Sequence, residues 1–310
     1  MRKIFGIGET VFDIIFKNGS PQAGKAGGSM LNSVVSIGRM GLPVYFISEF
    51  GLDDVGILID SFLKKNGVNT TYVNRYDDGN TTLAIAFLNE KNDASYTFYK
   101  NHHPGKLNVA YPDVKEGDIL VCGSFYSIWS DIRERFKNFI IGAKERGALV
   151  IYDPNFRKSH LTDLGNLKPL IIENMQMASL VRGSDEDFKN IFGVGDINEA
   201  YTVVKHFCPN LVYTANIEGV YVRTPHFSGK FRTKHITPVS TIGAGDNFNA
   251  GMITSIYKNS ILPGHLDMLG KKEWSEVITT AVDFATDVCM SYENYVSAEF
   301  VNEFNLRKSN

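Results

Sequence analysis

Strand-like and helix-like segments alternate along most of this 310-residue chain, and that alternation limits the possible folds more than any other feature. Short apolar runs predict strands at residues 4–8, 44–48, 119–122, 149–152, 179–181 and 211–214. Apolar residues at helical spacing predict helices at residues 30–40, 55–65, 132–146, 186–192, 197–207, 246–257 and 274–290. The last two helices are expected to close the chain. Such alternation is typical of an α/β protein whose mainly parallel sheet has helices on both faces and binds ligands at the carboxyl ends of its strands.

Two regions break the alternation, because their strand-like segments have no helix between them. Residues 11–16 are strand-like and are followed by a turn rich in glycine and proline. Residues 81–88 and 95–100 are typical of a hairpin around residues 89–93. We therefore expect a small separate β-sheet made of residues 11–26 and 81–100. The main α/β domain would comprise residues 1–10, 27–80 and 101–310.

Three small residues, Gly243, Ala244 and Gly245, directly precede Asp246, where a helical pattern begins. A Gly-Ala-Gly turn lets the backbone approach a ligand closely, and the N–H groups and dipole of a helix N-terminus favour negative charge. The pattern therefore predicts a seat for a phosphoryl group, with Asp246 beside it as a base for an attacking hydroxyl. The alternative, for an isolated Gly-Ala-Gly, is an ordinary turn in which Asp246 caps the helix.

A second glycine-containing segment supports the interpretation of the first as a phosphoryl-binding turn. Gly27 and Gly28 precede a predicted helix that carries Asn32 in its first turn and stops at Gly41. The two segments closely resemble the two signatures of the PfkB (ribokinase-like) family of sugar and nucleoside kinases, an N-terminal Gly-Gly…Asn…Gly…Gly…Asp…Gly pattern and a C-terminal Asp-Thr-x-Gly-Ala-Gly-Asp pattern. The resemblance covers nearly the whole chain. Residues 96–100 and the run Val-Arg-Gly-Ser-Asp-Glu-Asp are most similar to fructokinases.

The resemblance implies both a fold and an activity. The fold is a ribokinase-like three-layer α/β/α structure with a mainly parallel central sheet, in which the small β-sheet forms a lid over the sugar. The activity is transfer of the γ-phosphoryl group of MgATP to a hydroxymethyl group of a small sugar, with fructose as the first choice. A kinase for 2-keto-3-deoxygluconate, ribose or a nucleoside is an alternative. A non-catalytic sugar- or nucleotide-binding protein on the same scaffold is another.

The resemblance also assigns roles to individual residues. Asp246 would take the hydroxyl proton while the amides of Gly243, Ala244 and Gly245 stabilise charge on the phosphoryl oxygens. The substrate-binding residues would be Asp13, Gly28, Asn32, Lys100 and Arg157. The nucleotide-binding residues would be Thr214, Gly219, Gly243, Gly245 and Thr286. On spacing alone, a solvated surface position fits Asp13 and Lys100 equally well.

Four positions depart from the family pattern. Ser184 and Asp187 stand where the family has the Asn and Glu that act on the Mg²⁺–phosphate network, so the metal ligands are unassigned and Asp187 is the only candidate. The same segment is also explained as a helix N-cap with acids in the first turn. Ser240 replaces an Asp, which weakens the case for a monovalent-cation site nearby. Asn216 stands where the nucleotide loop usually has Gly.

Charge and composition narrow the choice of partner. A formal net charge of −2 argues against nucleic acid or an anionic membrane as the main partner. No apolar run approaches the roughly 20 residues of a membrane span. The expected partners are therefore a small sugar and ATP, with a second copy of the chain at the lid as a further expectation. The three cysteines, Cys122, Cys208 and Cys289, are isolated among apolar residues, which predicts buried thiols in a reducing compartment, by default the cytoplasm.

Overall fold

The computed structural model describes residues 1–88, 94–99 and 109–309 of the chain. The strands are β1 Ile4–Ile7, β2 Val11–Lys17, β3 Ser20–Gly27, β4 Val44–Gly51, β5 Val68–Asn69, β6 Val73–Tyr76, β7 Leu83–Leu88, β8 Ala94–Tyr99, β9 Ile119–Gly123, β10 Leu149–Asp153, β11 Leu180–Ser184, β12 Leu211–Ala215, β13 Gly219–Arg223 and β14 Ser228–Phe231. The helices are α1 Ser29–Arg39, α2 Asp54–Lys65, α3 Arg133–Glu145, α4 Leu164–Met177, α5 Asp185–Phe192, α6 Ile197–Val204, α7 Ala244–Lys258, α8 Lys271–Cys289 and α9 Ala298–Ser309. Within these described ranges, no helix has both the length and the apolar character needed to cross a membrane.

The large sheet has the strand order β14-β13-β12-β11-β10-β9-β1-β4-β5, with β6 also paired to β4. From β12 to β5 neighbouring strands are parallel, and β13 and β14 add an antiparallel edge. Alternate residues of its central strands enter two separate cores: Ile4 and Val121 pack with α1, α7 and α8, whereas Phe5 and Leu120 pack with α3 to α6. The predicted three-layer α/β/α architecture is confirmed, and the uninterrupted apolar runs of the central strands are explained by burial on both faces.

The small sheet has the order β3-β2-β7-β8 and shares no strand with the large one. Its β2 and β7 are parallel, and β2–β3 and β7–β8 are antiparallel pairs. The turn expected at residues 18–21 is present at Asn18 and Gly19, and the strand β3 begins at Ser20. The expected hairpin turn at residues 89–93 lies outside the described residues. A separate small β-sheet is therefore present where the unalternated segments predicted one.

The expectation that two helices close the chain is wrong, because α9 follows α8. The rings of Phe300 and Phe304 lie 5.0 and 5.7 Å from the ring of Phe284 in α8, so α9 covers one core. Its apolar pattern is short, since the residues that pack inward are mainly Phe300, Val301 and Phe304. So brief a pattern is a weak sequence signal for a helix.

Helix α4, the hairpin β13–β14 and the short strands β5 and β6 were not predicted, and α6 is shorter than expected. Helix α4 contains Pro169, which removes a backbone donor and argues against a helix at the sequence level. The hairpin β13–β14 interrupts the α/β alternation with antiparallel pairing. Helix α6 ends at Val204, short of the predicted end at residue 207. The hairpin includes Gly219, a predicted nucleotide-binding residue, whereas α4 and the end of α6 carry none of the predicted site residues.

Helices α7 and α8 cross very closely, and Gly251 is the reason that they can. A Cβ at Gly251 would lie 2.7 Å from both the Cα of Ala281 and the carbonyl oxygen of Thr280. Backbone atoms cannot move aside as a side-chain end can, so this position admits only glycine. The contact matters for the site because α7 carries Asp246 in its first turn.

We expect Gly251→Ala to lower the free energy of unfolding by about 1–3 kcal/mol, because overpacking at the helix crossing outweighs the better helix propensity of alanine. Denaturant titration measures the difference. Gly142→Ala is the matched control: Gly142 lies inside α3, and a Cβ there would meet only the flexible end of Arg146 at 3.3 Å. That variant should be neutral or up to about 1 kcal/mol more stable. Equal effects of the two substitutions would contradict the close α7–α8 crossing.

Candidate active site

The N-termini of α1 and α7 meet around the carboxylate of Asp246. Ser29 Oγ donates a hydrogen bond to Asp246 Oδ1 at 2.6 Å, and Asn32 Nδ2 donates one to Oδ2 at 2.8 Å. Ser33 Oγ donates to the backbone carbonyl oxygen of Asp246 at 2.8 Å. The structure therefore joins the two glycine segments directly, although Asn32 and Asp246 are 214 positions apart in the chain.

The surroundings of Asp246 make its carboxylate more basic than usual. The side chain is buried, with the residue 8% exposed, and this burial is the main reason that the pKa of Asp246 is raised. The hydrogen bonds from Ser29 and Asn32 and the charge of Arg157 lower that pKa, and the charge of Asp153 raises it. A carboxylate with a raised pKa is a better proton acceptor than an exposed one.

The turn before Asp246 is held in a conformation that suits glycine. Gly243 has φ 80°, and a Cβ there would lie 3.2 Å from Cα of Asn294. The Ala244 N–H donates to the carbonyl oxygen of Thr241 at 3.3 Å. Among the described residues the N–H groups of Gly245 and Asp246 have no backbone acceptor. These two amides, at the start of a 15-residue helix, are available to an anion.

The residues predicted to bind sugar converge beside this turn. A Cβ at Gly27 would lie 2.2 Å from Asp13 Oδ2, so glycine lets the Asp13 carboxylate approach the start of α1. Gly28 has φ 131°, and a Cβ there would lie 2.4 Å from the carbonyl oxygen of Glu9. Asn32 Oδ1 is buried and has no hydrogen-bond partner among the described residues, which leaves an acceptor for a ligand hydroxyl.

Asp13 and Arg157 bring opposite charges to this region. Burial raises the pKa of Asp13 to about 6, Lys25 opposes the shift, and Glu9 adds to it. Asp13 lies on β2 opposite Lys25 of β3. Arg157 follows β10, is exposed, and acts electrostatically on Asp246. Lys100 lies outside the described residues, so its predicted role is not addressed by the structure.

The three predicted nucleotide-binding residues that lie outside the turn before Asp246 have different surroundings. Thr214 Oγ1, at the end of β12, accepts a hydrogen bond from Arg182 Nη2 at 2.9 Å, and Arg182 in turn borders Gly245. Gly219 has φ 122°, and a Cβ there would lie 2.5 Å from the carbonyl oxygen of Phe231, so the β13–β14 pairing alone requires glycine. Thr286 is half-buried in the last turns of α8 and its role stays a prediction.

The candidate metal ligand, Asp187, is occupied by its own helix. Its Oδ1 accepts from the Phe156 N–H at 2.6 Å, and its Oδ2 accepts from the N–H and Oγ of Ser184 in a capping box. Burial, with the nearby charge of Asp153, raises the pKa of Asp187. No group of three or more His, Cys, Asp or Glu side chains suited to a metal occurs in the part of the chain that the structure describes. The Asp187 carboxylate is thus engaged as a helix cap, and a divalent cation has no preformed cluster here.

A buried polar network next to the turn was missed from the sequence. Arg182 Nη1 donates to Asp153 Oδ2 at 2.8 Å, and Asn249 Nδ2 donates to the same oxygen at 2.6 Å. Ser29, which holds Asp246, was also missed. Two sequence signals could have found the network: a charged residue inside the apolar strand β11, and an asparagine three positions after Asp246 on the same helix face.

Comparison with known proteins agrees with the fold and the motifs. Probable fructokinase-6, chloroplastic, of Arabidopsis thaliana is 29% identical over 238 residues, which cover 74% of this chain and 62% of that protein. The crystal structure of aminoimidazole riboside kinase from Salmonella enterica, with aminoimidazole riboside and an ATP analogue, has a TM-score of 0.83 at 20% identity and covers 98% of this chain and 99% of that one. Fructokinase from Vibrio cholerae O395, with fructose, ADP and calcium bound, has a TM-score of 0.82 at 21% identity and covers 97% and 98%.

These structural similarities confirm the ribokinase-like fold. The family itself is shown by sequence, because residues 1–291 match the pfkB family carbohydrate kinase domain. The match includes both glycine segments and the strands between them. This chain belongs to the pfkB family of carbohydrate kinases.

Proposed function

We propose that the protein is an ATP-dependent fructokinase, which transfers the γ-phosphoryl group of MgATP to a hydroxymethyl group of fructose. The observation that carries the proposal is the position of Asp246. Its buried carboxylate is held by Ser29 and Asn32 at the start of α7, next to the open amides of Gly245 and of Asp246 itself. A base and an anion seat side by side are what phosphoryl transfer to a hydroxyl requires.

Each part of this arrangement has a chemical task. Asp246 accepts the proton of the attacking hydroxyl, and its raised pKa favours that transfer. The open amides of Gly245 and Asp246, together with the α7 dipole, stabilise negative charge on the phosphoryl oxygens, whereas the Ala244 amide is engaged within the turn. MgATP supplies the phosphoryl group and the divalent cation that neutralises phosphate charge. The start of α7 fits a phosphate group, since the amides of Gly245 and Asp246 are open. The cation would be held mainly through the phosphates, because the Asp187 carboxylate is engaged as a helix cap.

The charge of the acceptor pocket supports a neutral sugar. Asp13 and Glu9 are close enough that the charge of Glu9 raises the pKa of Asp13. Lys25 opposes these charges only in part, because its Nζ also donates to the Tyr292 carbonyl oxygen and pairs with Glu293. A carboxylate on the substrate would add a third negative charge there, which disfavours 2-keto-3-deoxygluconate. Relatives named as fructokinases support fructose, while similarity to a riboside kinase keeps ribosides as the second candidate. The presence and placement of Asp246 argue against a non-catalytic binding protein.

A coupled assay for ADP formation over fructose, ribose, a nucleoside and 2-keto-3-deoxygluconate tests the proposal. We expect the fastest turnover with fructose. Asp246→Asn should lower kcat by about 10²–10⁴ with little change in fructose binding, because it removes the base and keeps the shape. Asp13→Asn should weaken fructose binding and reduce the discrimination against the sugar acid.

Three outcomes would contradict parts of this assignment. Turnover with none of the sugars would favour the non-catalytic alternative. Fastest turnover with the sugar acid would refute the argument from pocket charge. An Asp246→Asn enzyme with more than about a tenth of the wild-type kcat would remove Asp246 from the proton transfer.

Ser29→Ala should shift the acid limb of the kcat/KM profile to higher pH. Catalysis needs ionised Asp246, so activity is present above the pKa of this group and is lost as the pH falls through it. The Ser29 hydrogen bond lowers that pKa, and its removal raises the pKa further. Ser33→Ala is the matched control, because Ser33 donates to the backbone oxygen of Asp246 instead of the carboxylate. Equal shifts in the two variants, or no shift in Ser29→Ala, would argue against the assignment.

We also propose that residues 11–26 and 81–100 act as a lid and that the lid pairs with that of a second copy. Asp13 and Ala84 are paired on one face of the small sheet, toward the sugar site. The opposite face is apolar and only partly buried, with Ile14 paired to Ile85 and Phe16 to Phe87. A second copy of the same sheet would cover this face.

Sedimentation analysis should therefore give a dimer for the wild type and a monomer for Phe87→Asp, since Phe87 is 47% exposed and would place a charge in the interface. Ile57→Asp, at a 57% exposed position on α2, is the matched control and should remain dimeric. A monomeric wild type at tens of micromolar would show that the dimer proposal is wrong.

A cytoplasmic location is proposed from the cysteines. Cys122, Cys208 and Cys289 are all buried and unpaired. Isolated free thiols of this kind are typical of proteins that work in a reducing compartment.

A further inference from the structure

Arg182 is a buried cation to which none of the sequence motifs assigns a role. It lies on β11, is 7% exposed, and donates to Asp153 Oδ2 through Nη1 at 2.8 Å and to Thr214 Oγ1 through Nη2 at 2.9 Å. Asp153 is 1% exposed, so both charges of the pair are removed from water. Burying an ion pair is often no more stabilising than an apolar pair of the same size. Stability alone is therefore a weak reason for this pair to be here.

The guanidinium lies directly against the Gly-Ala-Gly turn. A Cβ at Gly245 would lie 3.1 Å from Arg182 Nη1 and 3.5 Å from Nη2, so the absent side chain leaves room for the cation. The same guanidinium lies over the ring of Phe248, 5.2 Å from its centre, in the first turns of α7. Arg182 is thus in contact with the segment that carries the open amides of Gly245 and Asp246.

We propose that Arg182 is a positioning residue that fixes a positive charge beside the phosphoryl seat and holds Gly245 in place for phosphoryl transfer. The inference rests on the proposed role of residues 243–246 as that seat. Arg182 is nearly inaccessible, so it acts through the turn rather than by touching substrate. A fixed charge next to the open amides strengthens their effect where negative charge develops.

Asp153 and Asn249 explain how the cation is kept in one orientation. Asp153 Oδ2 accepts from both Arg182 and Asn249, and Asn249 lies on α7 one turn after Asp246. The ion pair of Asp153 and Arg182 is therefore a dipole. Asn249 anchors its negative end at Asp153, and its positive end at Arg182 lies beside Gly245. Arg182 Nε is buried and has no hydrogen-bond partner among the described residues, so the donors of the guanidinium are not all satisfied within this network.

The rival interpretation is purely structural, because Arg182 also ties β10, β11, β12 and α7 together. The two interpretations differ in what they predict for catalysis. A structural role predicts that activity follows stability. A positioning role predicts that kcat falls even when the stability is restored. KM for the sugar should change little, because Arg182 bonds to Asp153 and Thr214 and not to the sugar residues Asp13 and Asn32.

The experiment compares two single variants, Arg182→Met and Arg182→Lys, with a double variant that carries both Arg182→Met and Asp153→Asn. Activity is measured with the sugar that the wild type phosphorylates fastest. Arg182→Met should lower kcat about tenfold or more, with KM for the sugar within about twofold of wild type. Arg182→Lys, which keeps the charge, should recover part of kcat. The double variant removes the carboxylate that Arg182→Met leaves unpaired, so its melting temperature should rise above that of the single variant. Its kcat should nevertheless stay low.

The results separate this inference from the proposed function. A double variant with wild-type kcat, or an Arg182→Met enzyme with unchanged kcat, would overturn the role of Arg182. If Arg182→Met does not fold, the kcat values of the double variant and of Arg182→Lys decide between the positioning role and the structural role. Asp246→Asn is measured in parallel: if it keeps full activity, the seat itself is misplaced. If Asp246→Asn is inactive while the Arg182 variants are fully active, only the inference about Arg182 fails.

Discussion

The carboxylate of Asp246 sits where two helix N-termini converge, and the rest of the site is arranged around that contact. Ser29 and Asn32 of α1 both donate to it, while its own helix, α7, presents open amides beside it. The positive ends of two helix dipoles would repel each other without an anion between them. The dipoles and hydrogen bonds favour the ionised form, whereas burial disfavours it. Their balance leaves a carboxylate that can be ionised and is still more basic than an exposed one, as the raised pKa of Asp246 indicates.

Side chains are absent at four positions around this convergence, where a Cβ would meet its neighbours too closely. Cβ atoms at Gly27 and Gly28 would lie 2.2 and 2.4 Å from Asp13 Oδ2 and the Glu9 carbonyl oxygen. At Gly243 and Gly245 they would lie 3.2 and 3.1 Å from Asn294 and Arg182. Steric crowding thus explains why these positions in the two motifs are glycine, in addition to any contact with a ligand. A short glycine pattern can identify such a site because close approach leaves few other residue types possible.

Short sequence patterns predicted those structural features that are determined by residues close together in the sequence. The apolar runs of the central strands gave the parallel sheet, since burial on both faces requires them. The Gly-Ala-Gly turn and Asp246 were found because turn, helix start and acid adjoin in sequence. Arg182 was not found, because its significance depends on Asp153, 29 positions away. Asn249 depends on the same carboxylate across 96 positions. Helix α4 was not predicted because it contains Pro169, which disfavours a helix. The tertiary packing that offsets this cost cannot be read from the sequence.

The charged side chains around the turn at residues 243–245 are of two kinds, buried ones that are held in place and exposed ones that are free to move. Asp153, Asp187 and Asp246 are buried, and Arg182 is buried with them, whereas Arg157 is open to solvent. A phosphoryl group adds negative charge to a region that already contains three acids, so positive charge has to be present before it arrives. An exposed arginine must be ordered at the moment of binding, which costs side-chain entropy. A buried one is ordered when the chain folds, so no reorganisation is needed during the reaction. On this argument we propose that Arg157 contributes to capture of the ligand and Arg182 to the transfer step, with the Asp153 carboxylate holding the Arg182 guanidinium in one orientation inside the protein.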